Sequence, residues 1–177
     1  MRTASRIVGI AMLAAMAAPA IASAQVSGAE ARLKQLNITL TADQAPAANF
    51  VNSVQTGKLL FLSGNTPGGQ WPLKGKVGKD LTVEQGYQSA RQAGVIMLSK
   101  MRTALGSLDR VKRIVKVLGM VNSAEDFSDQ PKVVNGFSDL MVEVFGEAIG
   151  KHARSAVGMA GLPGNAPVEV EMIVEVE

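Results

Sequence analysis

The amino-acid sequence predicts an α+β domain in which two helices pack on one face of a β-sheet. Three observations support this prediction. Apolar residues recur every three or four positions in two long segments, they alternate with other residues at the C-terminus, and the predicted elements follow the order strands, helix, strand, helix, strands. The chain has 177 residues, of which 47% are hydrophobic, so it can form one domain with a substantial core.

The first part of the domain is predicted to contain a short helix and two strands. The helix is expected over 30–36 and the first, short strand over 50–54. The apolar run 59–62 is typical of a buried strand, which Ser63-Gly64 is expected to end. Glycine and proline recur throughout 65–80 and indicate a loop.

Two longer helices have recognisable boundaries in the sequence. The first is predicted over 83–105, because Thr82 and Gln85 have the spacing of a capping box and Gly106 is a typical residue at a helix C-terminus. The second is predicted over 131–145, and it begins at a proline, a residue suited to the first turn.

Three further strands are predicted over 111–121, 154–159 and 168–177. Valine and methionine occupy every second position of the last strand, and this face is expected to pack on the helices. The opposite face of the sheet combines glutamates with apolar residues. A small domain seldom exposes such a surface, so we expect it to contact other subunits.

The N-terminal residues have the pattern of a secretory signal peptide. Arg2 and Arg6 form a basic region, 7–18 is apolar, and Ala22-Ser23-Ala24 resembles a cleavage signal. Cleavage after Ala24 predicts an exported, periplasmic protein with a single domain over 25–177; an uncleaved anchor is the alternative. No second apolar run is long enough to cross a bilayer, so no membrane association is expected after cleavage.

Charge and composition exclude several classes of function. The 18 lysines and arginines fall to 16 without Arg2 and Arg6, which leaves a net charge of +1 against 15 acidic residues. This balance argues against a nucleic-acid partner. Cysteine is absent and there is one histidine, so a thiol nucleophile and a histidine-rich metal site are excluded, and we expect neither a metal nor an organic cofactor. The one basic cluster is typical of the solvated side and ends of a strand: Arg110, Lys112, Arg113 and Lys116.

An arginine and a glutamate on neighbouring predicted strands are the strongest candidates for chemistry. Arg154 begins one strand, a Gly/Pro loop follows, and Glu169 lies on the next strand. An arginine presents a planar fork of donors that matches a carboxylate, and a glutamate can position water or move a proton. The pattern suggests a minimal hydrolytic site for an acidic substrate. From spacing alone, a structural ion pair for Arg154 and a solvated surface position for Glu169 remain open.

Three segments, in order and at matching spacing, resemble the RidA/YjgF family of reactive-intermediate imine deaminases. They are Leu60 to Pro67, Asp126-Phe127 leading to Val134-Asn135, and Ala153-Arg154-Ser155 through Leu162-Pro163 to Glu171. The resemblance extends over 49–176. The stretches KGKVG, DLTVEQGY and FSDQPKVVNG are similar to a subgroup with a longer N-terminal segment.

This resemblance implies a chorismate-mutase-like fold with a mixed β-sheet, assembled as a homotrimer with three clefts between subunits. It implies hydrolysis of enamines or imines of small amino acids, such as 2-aminoacrylate, to 2-keto acids and ammonia, without a cofactor. By the same resemblance, Arg154 binds the substrate carboxylate and Glu169 assists the water, while Glu171 is a second acid on the same face. Ser63, Gly64 and Asn135 are expected to line the cleft.

The chain departs from the family pattern at two positions. Phe50 stands where many deaminases have a cleft tyrosine, so a hydroxyl that could hold water or the imine is missing. Ala156 stands where some members have a cysteine, although no covalent step is required. Two alternatives therefore accompany the deaminase hypothesis: a non-catalytic trimer that binds a small carboxylate metabolite, and an endoribonuclease, as some relatives are described.

Overall fold

The computed structural model describes residues 28–177, which contain four α-helices, five β-strands and two short 3₁₀ turns. The signal peptide and cleavage site predicted within residues 1–24 lie outside the described residues. In chain order the elements are α1 (Ala29–Gln35), β1 (Ser53–Thr56), β2 (Leu59–Asn65), α2 (Val83–Leu105), β3 (Val111–Asn122), α3 (Gln130–Phe145), α4 (Glu147–Gly150), β4 (Ala153–Met159) and β5 (Val168–Val176).

The five strands form one mixed sheet in the order β1-β2-β5-β3-β4. The β3–β4 pair is parallel and every other pair is antiparallel. A parallel pair requires a crossover, which α3 and α4 provide between β3 and β4. The sheet and its two long helices confirm the predicted α+β architecture and match the chorismate-mutase-like fold.

The hydrophobic core lies between one face of the sheet and the helices α2 and α3. The alternating residues of β5 that were predicted to face inward, from Val168 to Val176, are all buried. The two helices approach closely at Gly136, where a β-carbon would overlap the carbonyl oxygen of Tyr87. The capping box of Thr82 and Gln85 and the left-handed conformation of Gly106 bound α2 as predicted.

Two predicted boundaries were wrong, and one helix was not predicted. Strand β1 begins at Ser53, so Phe50 precedes the strand instead of starting it. Strand β2 continues through Ser63-Gly64 to Asn65, because a β-bulge accommodates this dipeptide where termination was predicted. Helix α4 directly follows α3 after Gly146, a glycine that the sequence suggested as the end of helical structure.

The face of the sheet opposite the helices is partly apolar and open to solvent. Val54, Phe61, Val115 and Val157 are exposed large hydrophobic residues on or beside it. A shallow cavity of about 460 Å³ lies on this face between the strands β1, β2, β5 and β3, with Leu118 and Glu171 in its wall. Within residues 28–177, no helix combines the length and apolar character that a membrane crossing requires.

Candidate functional site

Helix α3 holds the guanidinium of Arg154 in a defined orientation. Arg154 lies near the start of the edge strand β4, in register with the buried Val117, so its side chain is on the helix face of the sheet. Its Nη1 donates to Asn135 Oδ1 and to Ser138 Oγ, each at 2.9 Å. Its Nη2 lies 3.4 Å from the carbonyl oxygen of Pro131. Asn135 and Ser138 are three residues apart on α3 and therefore share one face of the helix.

No carboxylate among residues 28–177 lies within ion-pair distance of Arg154. Burial lowers the pKa of the guanidinium, and the charge of Asp139 opposes this effect. Asp139 itself accepts a hydrogen bond of 2.9 Å from the hydroxyl of Tyr87. The structural ion pair that the sequence left open for Arg154 is therefore absent from the described part of the chain, while both Nη1 hydrogens are already directed to acceptors.

A histidine and a serine extend the hydrogen bonding of Arg154 further into the protein. His152 Nε2 lies 3.1 Å from Ser138 Oγ, and His152 Nδ1 lies 2.7 Å from the carbonyl oxygen of Gly150. The imidazole packs edge-on against Phe137. Burial lowers the pKa of His152, and the nearby charge of Arg154 lowers it further, although the Gly150 bond partly offsets both effects. At neutral pH the ring is therefore uncharged.

The second candidate, Glu169, lies on the solvent face of the sheet. It is half-buried on β5 opposite Met120 of β3. Burial raises the pKa of its carboxyl group, and the charge of Glu171 raises it further. The carboxylate lies over Gly64, where a β-carbon would overlap Oε1. A raised pKa is the expected property of a glutamate that exchanges a proton near neutral pH.

The bulge in β2 places Ser63 and Gly64 beside this glutamate. The pairs Leu62–Met172 and Asn65–Val170 flank it, so two residues of β2 face one residue of β5. The Ser63 hydroxyl donates to the carbonyl oxygen of Val51 at 2.7 Å. The backbone amide of Ser63 donates to the backbone carbonyl oxygen of Asn52 at 3.0 Å. The Ser63 carbonyl oxygen also accepts from Asn65 Nδ2 at 2.7 Å, so Ser63 has no hydrogen left to donate and can offer only acceptor lone pairs at the bulge.

Phe50 lies in the segment just before β1, next to the residues that contact Ser63. It is 57% exposed, which is unusual for a phenylalanine in a small domain. Its amide donates to the carbonyl oxygen of Ala48 at 2.8 Å. The aromatic ring is thus available to a ligand or a second protein surface near the bulge, but it supplies no hydroxyl group.

Within a single chain, the candidate residues form two separate groups. The arginine half-site consists of Arg154, Asn135, Ser138 and His152, and the carboxylate half-site consists of Glu169, Ser63, Gly64 and Phe50. Arg154 and Glu169 project from opposite faces of the sheet. Their strands were predicted to be neighbours, which was wrong, because β3 lies between β4 and β5. The sequence and the family resemblance named six of these residues as members of one cleft, but they named neither Ser138 nor His152 as a site residue. The spacing of Ser138 from Asn135 was the only signal that could have indicated Ser138.

The described residues contain no group of three or more histidine, aspartate, glutamate or cysteine side chains arranged to hold a metal ion. The side chains present supply hydrogen-bond donors in the arginine half-site and a carboxyl group in the carboxylate half-site. The arginine half-site can bind an anion, and the carboxylate half-site can bind and exchange a proton.

A family model described as "YjgF/chorismate mutase-like, putative endoribonuclease" matches residues 30–176. Protein TCP17 of Trypanosoma cruzi is 46% identical over 159 residues, which cover 88% of this chain and 96% of that protein. The range 30–176 matched by the family model includes both half-sites and every strand of the sheet.

Solved structures give the same result. The Agrobacterium tumefaciens protein Atu1372, whose function is unknown, is 40% identical and superposes with a TM-score of 0.75 over 84% of this chain and 91% of that one. A Shewanella oneidensis protein described as a "putative endoribonuclease" is 31% identical, with a TM-score of 0.80 over 85% of this chain and 100% of its own. The chain therefore belongs to the RidA/YjgF family.

Proposed function

We propose that this protein hydrolyses the imines of small 2-amino acids to 2-keto acids and ammonia. The observation that carries the proposal is the state of Arg154. Its guanidinium is half-buried and oriented by Asn135 and Ser138, yet the described chain provides no carboxylate to pair with it. A fixed arginine without a carboxylate partner is suited to hold the carboxylate of a substrate.

We further propose that the active site is formed between subunits of a homotrimer. One chain keeps Arg154 and Glu169 on opposite faces of its sheet, so a second copy must bring a carboxylate half-site to an arginine half-site. The exposed apolar side chains on the open sheet face, among them Phe61 and Val157, support this assembly because association would remove them from water.

In the proposed reaction, Glu169 acts first as a general base and then as a general acid. Water attacks the carbon of the protonated imine while the Glu169 carboxylate accepts a proton from the water, which gives a carbinolamine. The protonated glutamate then donates to the amino nitrogen, the carbon–nitrogen bond breaks, and ammonia leaves. The protonated carbonyl that remains passes its proton to the departing ammonia, which gives the keto group and ammonium and leaves Glu169 ionised for the next turnover. The raised pKa of Glu169 supports this role, because a base works best with a pKa close to the working pH.

A second candidate function is binding of a small carboxylate without turnover. Phe50 favours it, because the ring is exposed beside the carboxylate half-site and lacks a hydroxyl group that could hold water. Arg154 would serve both functions equally well. A thermal-shift screen with 2-keto acids distinguishes them, since stabilisation without imine hydrolysis is the result expected of a binding protein.

The structure gives less support to ribonuclease activity, although relatives carry that description. In the basic cluster, Arg110 and Lys112 both lie against the carboxylate of Glu177, and Arg113 donates to a backbone carbonyl. These contacts reduce the positive field that a nucleic acid would meet. RNA cleavage by highly purified protein that disappears in Arg154→Ala would reverse this assignment.

Export to the periplasm is a separate proposal that rests on the N-terminal sequence. Full-length protein expressed in a Gram-negative host should be recovered from the periplasmic fraction with an intact mass that starts at Gln25. Recovery of the uncleaved chain from membranes would instead identify the N-terminal segment as an anchor.

The activity is tested by generating imines in place with an amino-acid oxidase and trapping those that survive with semicarbazide. Wild-type protein should lower the trapped fraction, and Arg154→Ala should not, because a bidentate contact to the substrate is lost. Arg102→Ala is the matched control, since Arg102 pairs with Glu30 and contacts neither half-site within the described residues. Equal trapping with wild type and Arg154→Ala, across several amino acids, contradicts the proposal.

A further inference from the structure

We propose that Ser138 and His152 are positioning residues for Arg154, and that together they fix the guanidinium in the orientation that receives a carboxylate. The inference rests on the proposed carboxylate-binding role of Arg154. It adds a hydrogen-bonded chain that runs from the backbone of Gly150 through the imidazole and the hydroxyl to the guanidinium.

The donor and acceptor of each hydrogen bond in this series are fixed by the groups at its two ends, a carbonyl oxygen and a guanidinium. The carbonyl oxygen of Gly150 can only accept, so His152 Nδ1 carries the hydrogen. In the neutral ring, Nε2 is then an acceptor, and it receives the hydrogen of the Ser138 hydroxyl. That hydroxyl presents its lone pairs to the Nη1 hydrogen of Arg154. A guanidinium can only donate, so both ends of the chain agree on a single arrangement.

The surroundings keep this arrangement in place at neutral pH. His152 shares a surface cavity of about 570 Å³ with two cations, Arg154 and Lys151, and with one carboxylate, Asp139. The two nitrogens of the His152 ring contact Ser138 Oγ and the carbonyl oxygen of Gly150, so no carboxylate in the described chain hydrogen-bonds the ring. Asp139 instead accepts from the Tyr87 hydroxyl. Burial and the charge of Arg154 both favour the neutral imidazole. The neutral form is the one that accepts from Ser138.

The chain also determines which donors of Arg154 remain for a ligand. Both hydrogens of Nη1 are used by Asn135 and Ser138, and Nη2 makes only the long contact to Pro131. Within residues 28–177, Nε donates to no acceptor. The edge formed by Nε and Nη2 therefore remains available for a bidentate contact with a carboxylate. Loss of Ser138 or His152 would free Nη1 to turn, and this edge would lose its fixed direction.

The decisive experiment is a double-mutant cycle on the dissociation constant of pyruvate, measured by calorimetry on the purified exported protein. Ser138→Ala and His152→Phe should each weaken pyruvate binding about tenfold, roughly 1.4 kcal/mol. The double variant should be no weaker than either single variant, because the two residues act through one connection. Independent, multiplying effects, or an unchanged dissociation constant in Ser138→Ala, would overturn the proposal.

Conservative variants separate positioning from a general structural role. Ser138→Thr keeps the hydroxyl group and should restore pyruvate binding to within twofold of wild type, while Ser128→Ala, an exposed serine, should have no effect. For imine hydrolysis, Ser138→Ala should raise KM about tenfold with kcat within twofold. Failure of Ser138→Thr to restore binding, or an effect confined to kcat, would contradict positioning.

A measurement without ligand distinguishes failure of this inference from failure of the proposed function. His152 is the only histidine of the chain, so its imidazole ¹⁵N signals need no assignment when a histidine-free tag is used. At neutral pH they should show that Nδ1 is protonated and that Nε2 is unprotonated. The opposite tautomer would overturn the hydrogen-bonded chain, whereas the expected tautomer without pyruvate binding would count against the proposed function alone.

Discussion

At the scale of single residues, Arg154 and Glu169 are in opposite electrostatic situations. Arg154 is a permanent cation whose hydrogen bonds go to neutral oxygens, so its charge is solvated without being neutralised. Glu169 is a carboxylate that burial and Glu171 make harder to ionise. One group holds its charge for an anion and the other holds a proton weakly enough to exchange it, which is a useful pair for hydrolysis of an anionic imine.

The first prediction concerns the geometry of the cation. Arg154→Lys retains the positive charge, but an ammonium cannot donate to Asn135 and Ser138 while presenting a planar pair of donors to the substrate. We expect kcat/KM for imine hydrolysis to fall about 10- to 100-fold, equivalent to roughly 1.4–2.7 kcal/mol. Arg102→Lys is the control and should change kcat/KM less than twofold, since Arg102 pairs with Glu30 outside both half-sites. Full activity in Arg154→Lys would show that charge alone is sufficient.

The second prediction follows from the pKa of Glu169. Its folded-state pKa is raised above the usual value of 4.5, so the folded protein favours the protonated form. The corresponding stability is fully present below the unfolded pKa and is lost as pH rises through the folded pKa. In Glu169→Gln the side chain does not ionise, so the variant does not lose this stability as pH rises. The variant should therefore melt at a higher temperature than wild type at pH 7, with a difference that shrinks toward pH 4.

The same substitution should abolish imine hydrolysis, because glutamine cannot accept the proton from water. Glu175→Gln is the matched control, since Glu175 occupies the same face of the same strand. It should leave the rate unchanged. A Glu169→Gln protein that is less stable than wild type at pH 7, or fully active, would contradict the assigned role.

At the scale of elements, the bulge in β2 determines the position of the Glu169 carboxylate. Gly64→Ala would place a methyl group where Oε1 now lies, and the flexible side chain of Glu169 would have to move aside. We expect a folded protein with imine hydrolysis reduced at least tenfold and a stability loss of about 1–3 kcal/mol. Gly161→Ala, in open space, is the control and should match wild type in both rate and melting temperature.

Helices and strands with local signals were predictable from the sequence, and features set by tertiary contacts were not. The bounds of α2 followed from Thr82, Gln85 and Gly106, which act through bonds within the helix itself. The bulge at Ser63-Gly64 depends on pairing with β5, more than 100 residues later in the chain, so the glycine was interpreted as a strand end. Periodicity gives the face of a residue but not the irregularities of its partner strand.

At the scale of the whole molecule, the two half-sites explain what sequence reasoning could and could not provide. Arg154 and Glu169 were identified by a family pattern that carries no distance information. The sequence therefore suggested two neighbouring strands, whereas β3 lies between β4 and β5 and the two side chains project from different faces. The hydrogen bonds of Ser138 and His152 were unpredictable for a similar reason, because they depend on how α3 crosses the edge strand β4.

A site shared between subunits, as proposed above, predicts that two inactive variants complement each other. Arg154→Ala and Glu169→Gln, when mixed, unfolded and refolded together in equal amounts, should regain about one quarter of wild-type activity, because random assembly gives each interface one intact half-site of each kind in a quarter of cases. Each variant refolded alone is the control. Failure to regain activity, with mixed assemblies confirmed by mass spectrometry, would contradict a site that combines Arg154 of one chain with Glu169 of another.

The separation of the two half-sites across the sheet also has a consequence for the protein in dilution. If every active centre needs two chains, an isolated chain has no catalytic capacity, and specific activity must fall when the concentration drops below the dissociation constant of the assembly. Activity would then require a protein concentration above that dissociation constant. A dilute preparation would contain folded chains without activity, and a modest rise in protein concentration would restore the activity.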